Sequence, residues 1–535
     1  MKIKLVLFAI AAMFSLAVTA FAQSYAITNA EIVTVSGPTI HKGSIVIRNG
    51  LIESVGVNVK VPADAKVFDG TGLTVYPGFI DSMTSLGLPA PKPRSNEQTA
   101  NDSNSTYPEG FRPELTAVSE LKPGDEQFEK IRNYGFTSAL TTGRVGIFTG
   151  QSAFIDLSGD TVSAMIIRSP VAQHFSFTTT GTGEYPASLL GTFSAFRQMI
   201  LDADRQMMLE KNYASKPLGT RRPEYNASLT ALYPLIKGEL PIVFNVNRDV
   251  EIRRAIKLAK EFKLKAMIAG GQEAWKVADE LKAANIPVLL SLNFPKRTTS
   301  ASPEADPESM EMLRFRAETP KGPAILAKTG VKFAFQSGGA GNLTDFFINS
   351  GKSIQAGLSK ADAVKAITLG AAEILGVSDR LGSLEAGKIA NVTVIRGDNF
   401  SKDRVVKYVF VDGKLFEPKE IPAKPVKGGT PGGGAVASVG GNYSIVVQVP
   451  GQSMAGTIVL VQQGASITGT LQTEFGTVPI QDGKVTAEGF TFGAIVNVGV
   501  TSMDIIVSGT VTGNDISGMI DSPQGAIPFS GTRNP

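Results

Sequence analysis

From residue 240 onward the sequence alternates between two textures, and few folds accept that alternation. "LPIVFNV" is a short apolar run, and "RDVEIRRAIKLAKEFKL" is amphipathic at helical spacing. "KAMIAGG", "EAWKVADELKAAN", "IPVLLSL", "GPAILAKTG", "VKFAFQSGG" and "KADAVKAITLGAAEILG" continue the pattern. Short apolar runs of this kind suit strands buried on both faces, and the amphipathic helices between them suit the layer that covers such a sheet. The alternation therefore predicts an α/β architecture with a parallel sheet. The span 76–384 is long enough for a (β/α)8 TIM-like barrel. A doubly wound sheet is the alternative, but no glycine-rich phosphate loop follows any of these strands to support it.

The flanks read differently. Residues 23–75 alternate with period two between Gly and Asn punctuation ("YAITNAEIVTV", "GSIVIRNGLIESVG", "AKVFDGTGLTVYPG"), which signals antiparallel strands. The same texture returns over 385–420, and the two segments are expected to meet in one composite β-sandwich beside the barrel. Residues 90–125, rich in Pro, Ser, Asn and charge, predict a long loop. A Pro/Gly linker follows over 421–441. Beyond it, 442–535 holds about eight short strands separated by Gly, Asp and Asn turns, an all-β sandwich or up-and-down barrel.

The leader "MKIKLVLFAIAAMFSLAVTAFAQS" places two lysines before an apolar stretch that ends in Ala20-Phe21-Ala22. It reads as a signal peptide over 1–22, so the mature chain is expected to be exported, to the periplasm or outside the cell. No later stretch is apolar enough to span a bilayer. The formal charge is +4, and Lys2 and Lys4 supply half of it, which gives no reason to expect nucleic acid. The chain has no cysteine and only two histidines, His41 and His174. Thiolate metal sites are thereby excluded, and imidazole is scarce.

Active sites of parallel barrels sit at the C-terminal ends of the strands. The first strand, in "VYPGFIDSMTSLGLP", delivers Asp81, Met83 and Ser85. Later strands deliver Asn245, Asn247 and Asp249; Gly270, Gly271 and Glu273; Ser291 and Asn293; and Gln336, Ser337 and Gly338. These are mostly amides, hydroxyls and glycines. Asp249 and Glu273 each stand where an acid suits a helix start. An oxygen-only Mg or Ca site from Asp81, Asp249 and Glu273 is a weak alternative, since such cages need more convergent carboxylates. His41 lies in a turn of the N-terminal sheet and is expected to be solvated. His174 is the better placed of the two to reach the barrel mouth, although one unpaired histidine makes neither a triad nor a metal site.

Several segments carry a resemblance: "VYPGFID", "GFTSALTTG", "YPASLLGTFSAFRQMILDADRQ", "LPIVFNVNRDVEIRRAIKLAKEF", "KFAFQSGG" and, most specifically, "AITLGAAEILGVSDRLGSLEAGKIANVTVIRGD". Over about 25–420 the chain resembles the amidohydrolase superfamily, in its exported imidazolonepropionase-like branch. The resemblance implies hydrolysis of C–N bonds in cyclic amides, amidines or small peptides by a bound divalent metal that supplies hydroxide near neutral pH. It also implies a ligand set of a His-x-His pair after the first strand, one His each after the fifth and sixth, and an Asp after the eighth. Those positions fall on Met83, Ser85, Asn245, Gly270 and Gly338. Thioether, hydroxyl, amide and glycine do not replace imidazole and carboxylate.

The reading is therefore a catalytically inactive amidohydrolase homologue with no metal or other cofactor. It would act as a scaffold or bind a small polar ligand through Asp81, Asn245, Asn247, Gln336 and Ser337. It would serve as a homo-oligomer, or as a hetero-oligomer with an active relative. One alternative is a divergent hydrolase acting on small-peptide or non-peptide C–N bonds. Another places function in envelope or partner binding by the C-terminal β domain.

Overall fold

The computed structural model describes residues 23–89, 110–143, 146–179, 185–296, 309–338, 343–418, 438–449, 452–473, 476–486, 489–498, 501–522 and 525–534. The predicted leader, most of the predicted linker and residues 90–109 of the predicted loop lie outside the described residues. The rest of that loop, 110–125, includes one helical turn at Ala117–Glu120, capped by Thr116.

The N-terminal segment forms β1 (Tyr25–Ile32), β2 (Ile40–Arg48), β3 (Leu51–Gly56), β4 (Lys66–Asp69) and β5 (Leu73–Pro77). The barrel region supplies β6 (Phe79–Thr84), β7 (Phe136–Thr141), β8 (Phe148–Gln151), β9 (Ala153–Asp156), β10 (Ile166–Arg168), β11 (Gln173–Ser176), β12 (Ile242–Val246), β13 (Ala266–Gly270), β14 (Val288–Ser291) and β15 (Phe333–Gln336). The chain then returns through β16 (Val392–Arg396), β17 (Val405–Val411) and β18 (Lys414–Phe416) to the first sheet.

The sandwich expected of the two flanking segments is one continuous eight-stranded sheet. β5 and β16 join its two halves in an antiparallel ladder from Pro77–Val392 to Leu73–Arg396. β1 serves two partners on one edge, pairing β4 with its first half and β5 with its last residues. Ile27, Ile45, Ile47, Val75, Val392, Val394 and Phe410 form its apolar core.

Only Gly78 separates β5 from β6, so the sheet leads directly into the barrel. Around the barrel the parallel strands are β6 and β7, then β11 through β15. Residues 148–156 run the other way: β9 pairs antiparallel with β7, and β8 pairs antiparallel with β11. The expected eight-fold β/α repeat is thus corrected to seven parallel strands and one reversed stave. The cause is connection length. Six residues separate Thr141 from Phe148, whereas a parallel return needs a crossover of about a dozen or more.

Alternation along each strand sorts side chains into two layers. Phe79, Phe136, Phe175, Phe244 and Phe335 face outward into a shell shared with helices α1 (Leu189–Ser215), α2 (Asp249–Glu261), α3 (Gly322–Thr329) and α4 (Leu343–Gln355). Ile80, Leu140, Phe154, Val243, Met267, Ala269, Leu289 and Ala334 fill the interior. Helix α5 (Leu369–Leu375) adds Ala371, Ala372 and Leu375 to that interior cluster. In α2 the buried Ile252, Ala255, Ile256 and Ala259 recur at helical spacing. Its start carries the expected acid. Asp249 is the first helical residue and pairs with Arg253, while Glu251 accepts the N–H groups of Asn247 and Arg248.

The C-terminal domain consists of β19 (Gly441–Val449), β20 (Gln452–Gln463), β21 (Ser466–Thr473), β22 (Gly476–Pro479), β23 (Gln481–Thr486), β24 (Gly489–Val498), β25 (Thr501–Thr512), β26 (Asp515–Ser522) and β27 (Gly525–Arg533). The pairings β20–β19–β27–β26–β25–β24–β23–β21 close through β20–β21, giving an eight-stranded antiparallel barrel with β22 hairpinned onto β21. Closure leaves no unpaired edge in the ring. Tyr443, Ile445, Leu460, Phe490, Phe492, Val507 and Phe529 fill its centre. Arg533 stacks over the Tyr443 ring and donates to its hydroxyl.

Asp156, Ser138 and Asn391 tie the barrel to the first sheet. Asn391 Nδ2 donates to the buried carboxylate of Asp156 at 2.7 Å, and Asn391 Oδ1 accepts the backbone N–H of Asp412 at 2.7 Å. Burial pushes the Asp156 carboxyl up to about 7, with the nearby Asp412 adding to the rise. The folded state thus holds this proton more tightly than the unfolded chain. The resulting stability is full below the ordinary carboxylate range and is lost as pH rises through about 7. Asp156→Asn should stabilise the barrel by about 1–3 kcal/mol at pH 8 and change little at pH 5. Urea unfolding at the two pH values measures the difference.

Candidate functional site

The seam of the barrel lies between its first and last strands, and Asp81 spans it. Its Oδ1 accepts the backbone N–H of Ser337 at 2.9 Å and that of Met83 at 3.3 Å. Its Oδ2 accepts the Ser337 hydroxyl. Ser82 Oγ adds a bond to Phe335 O at 2.8 Å. Asp81 is fully buried, and desolvation pushes its carboxyl up to about 6 against the opposing pull of these bonds. Each of its oxygens is engaged, so Asp81 faces the seam as a strut.

The strand ends around the mouth carry the residues singled out from the sequence. Met83, Ser85, Asn245, Asn247, Gly270 and Gly338 are all half-buried at or just beyond the C-terminal ends of β6, β12, β13 and β15. Gln336 is buried, and its Nε2 donates to Leu289 O at 2.8 Å. Asn245 Nδ2 donates to Ser176 Oγ at 3.0 Å.

Three of the mouth positions are shaped against larger side chains or polar ligation. Gly270 has φ +89° and Gly271 φ +58°, a left-handed pair that favours glycine. A Cβ on Gly270 would stand 2.5 Å from Asn247 Oδ1, and one on Gly338 would meet Gln336 Oε1. Met83 packs against the interior apolar cluster, so its thioether extends that column toward the mouth.

Acidic residues do not converge there. Asp249 is bound to Arg253, and the buried Glu273 accepts from Asp249 N and Lys276 Nζ. The weighed oxygen-only site from Asp81, Asp249 and Glu273 is therefore not assembled. Among the described residues no group of three or more His, Cys, Asp or Glu is placed to hold a metal ion. The residues at the mouth do not fit a divalent metal: one thioether, one hydroxyl, one amide and two glycines offer neither the imidazole and thiolate zinc takes nor the carboxylate cage of Ca or Mg.

His174 lies within β11 and is fully buried. Its neighbour Phe175 packs in the outer shell, and its register partner is the interior residue Val243, so the imidazole faces the barrel interior. Neither ring nitrogen has a hydrogen-bond partner. Burial alone pushes it down to about 3, which keeps it neutral. Two further buried polar atoms without partners are Asn245 Oδ1, diagonal to His174 across the β11–β12 ladder, and Thr142 Oγ1, just past the end of β7 and two residues beyond the interior Leu140. The signal for this group was a strand of four residues in which only Phe175 is apolar. The other histidine, His41, is exposed and sits 3.5 Å from Glu31.

Other concavities lie elsewhere. Gly271, Gln272, Trp275, Ser291 and Leu326 line a small cavity between the ends of β13 and β14 and helix α3. An open groove of about 1030 Å³ on the C-terminal barrel is lined by Ser444, Val446, Thr457, Gln472, Ser517 and Ser530.

Gly270→His should destabilise the barrel by about 1–3 kcal/mol, because it adds both a clash and a strained φ. Gly338→Asp should cost about 1 kcal/mol by displacing Gln336 from Leu289 O. Denaturant midpoints of the single variants measure both. His174 gives the opposite pH dependence to Asp156. Its neutral folded form contributes stability above about 6.5 that is lost as pH falls toward 3. His174→Leu should therefore gain stability at pH 5 and change little at pH 8.

Comparison with known proteins follows this geometry. Residues 298–416 match the model of the Amidohydrolase family. The chain is 22% identical over 421 residues to amidohydrolase TasK of Hapsidospora irregularis, covering 72% of this chain and 41% of that protein. It thus spans well under half the length of that relative. It is 25% identical over 410 residues to an imidazolonepropionase of Phocaeicola vulgatus, covering 70% of this chain and 92% of that one. Among solved structures, an amidohydrolase from Thermotoga maritima superposes with a TM-score of 0.62 at 25% identity, over 74% of this chain and all of that one. Over its barrel region the chain is thus similar to proteins of the amidohydrolase superfamily, and residues 298–416 carry the match to the Amidohydrolase family.

Proposed function

We propose that this protein is an exported amidohydrolase homologue that has given up metal catalysis and uses its barrel mouth to bind a small polar molecule. The observation that carries this reading is the packing at the inherited ligand positions. Met83 is part of the apolar column, and Gly270 and Gly338 are walled in by Asn247 and Gln336. Restoring a ligand set would require changing the ligand positions and their neighbours together. The loss is therefore built into the packing of the mouth and is more than the absence of a few side chains.

The ligand is expected to be uncharged. The polar groups toward the mouth and interior are amides, hydroxyls and a neutral imidazole, and Asp81 is already engaged in the seam. Buried polar groups without partners are rare and costly, so Asn245 Oδ1, Thr142 Oγ1 and the His174 nitrogens favour a guest with both donors and acceptors. A metal-free hydrolase is the rival reading. It needs a base beside a nucleophile, whereas His174 has no partner and the Ser337 hydroxyl is given to Asp81. The leader over 1–22 supports export, and pairing with an active relative would give a non-catalytic copy a role.

The test is to purify the mature protein with zinc or manganese present and measure bound metal and hydrolysis of small amides and dipeptides. Substoichiometric metal and no turnover are expected. Stoichiometric metal with turnover would overturn the proposal. Small cyclic amides should raise the melting temperature, and Asn245→Ala should weaken that binding about tenfold.

A further inference from the structure

The described residues expose 17 large apolar side chains, and seven of them fall between 185 and 225. This stretch contains α1, a helix of 27 residues that is longer than the barrel needs. Its barrel-facing side buries Thr192, Ala195, Phe196, Met199, Ile200 and Ala203, and beyond Ala203 the helix buries nothing further. Yet Leu190, Leu201, Met208 and Leu209 are 77%, 55%, 54% and 43% exposed. Leu190, Leu201 and Met208 lie eleven and seven residues apart, close to whole turns at about 3.6 residues each, so they form one stripe. By the same spacing Met199 and Ala203 lie on the opposite side. The helix therefore has two apolar faces, and the barrel covers one of them.

We propose that the outer face of α1 is the dimer interface of this protein, packed against α1 of a second copy about a two-fold axis. Area and charge argue for a second copy. With Tyr185, whose hydroxyl donates to Gly191 O beside Leu190, the stripe presents roughly 500–700 Å² of apolar surface. A stable interface takes about 800 Å² from each partner, so apolar contact supplies most of it and the polar flanks complete it. Those flanks carry Arg197, Arg205 and Lys211 against Asp202, Asp204 and Glu210, a balance of three and three. Interleaved charges of both signs suit a copy of the same surface. An anionic membrane would instead select a basic flank.

Sedimentation velocity of the full mature chain over a range of concentrations tests this. The wild type is expected to dimerise at micromolar concentration, and Leu201→Glu/Met208→Glu to be monomeric with unchanged circular dichroism and melting temperature. Leu218→Glu, which changes a more exposed leucine beyond the end of α1, is expected to remain dimeric. A wild type that stays monomeric overturns the proposal, whether or not it sediments with anionic vesicles. A double variant that stays dimeric overturns it too. If the double variant unfolds, Leu201→Gln with Met208→Gln supplies the milder removal of the stripe, and the same two outcomes decide.

Discussion

The barrel depends on one buried carboxylate. No ladder joins β6 to β15 among the described residues, so the first and last strands meet through side chains. Asp81 holds Ser337 by backbone and hydroxyl, and Ser82 holds the Phe335 carbonyl. Leaving that carboxylate without partners inside the seam would be expensive. Its hydrogen bonds offset the desolvation and fix the relative height of the two strands. From that register follow the positions of Met83, Gln336 and Gly338, and with them the shape of the mouth.

The amidohydrolase resemblance was readable because fold-forming segments are dense in sequence information. Apolar runs alternating with amphipathic helices announced β12 to β15 and the helices over them. The reversed stave escaped notice because "RVGIFTGQSAFID" has the texture of any buried strand, and only the length of the preceding turn reveals its direction. The sequence left the strand around His174 unassigned for a related reason. β11 has four residues, too few for a periodic signal. The two flanking segments were recognised as one unit. Their union into a single sheet depends on β1 bending between two partners, which a pattern of period two does not encode.

At the mouth the sequence showed which residues stand at the strand ends, and the structure shows what they do there. Glycine at 270 satisfies a left-handed backbone and leaves room for Asn247. Met83 continues an apolar column. At Met83, Gly270 and Gly338 packing thus shapes the mouth. Unpartnered buried polar atoms remain among the described residues of the barrel, on His174, Thr142, Thr149, Gln173, Asn245 and Gln272.

The reversed stave also bears on how the chain reaches this fold. Parallel neighbours such as β13 and β14 pair residues twenty apart, Ile268 with Val288. Thr141 and Ala153 across β7 and β9 are twelve apart, and Ile155 and Ile166 across β9 and β10 are eleven apart. Loop closure is cheapest where the chain returns soonest. The meander β7–β9–β10 is therefore a low-contact-order island beside the more distant parallel pairings of this barrel, and it can form before the strands on either side have found their places.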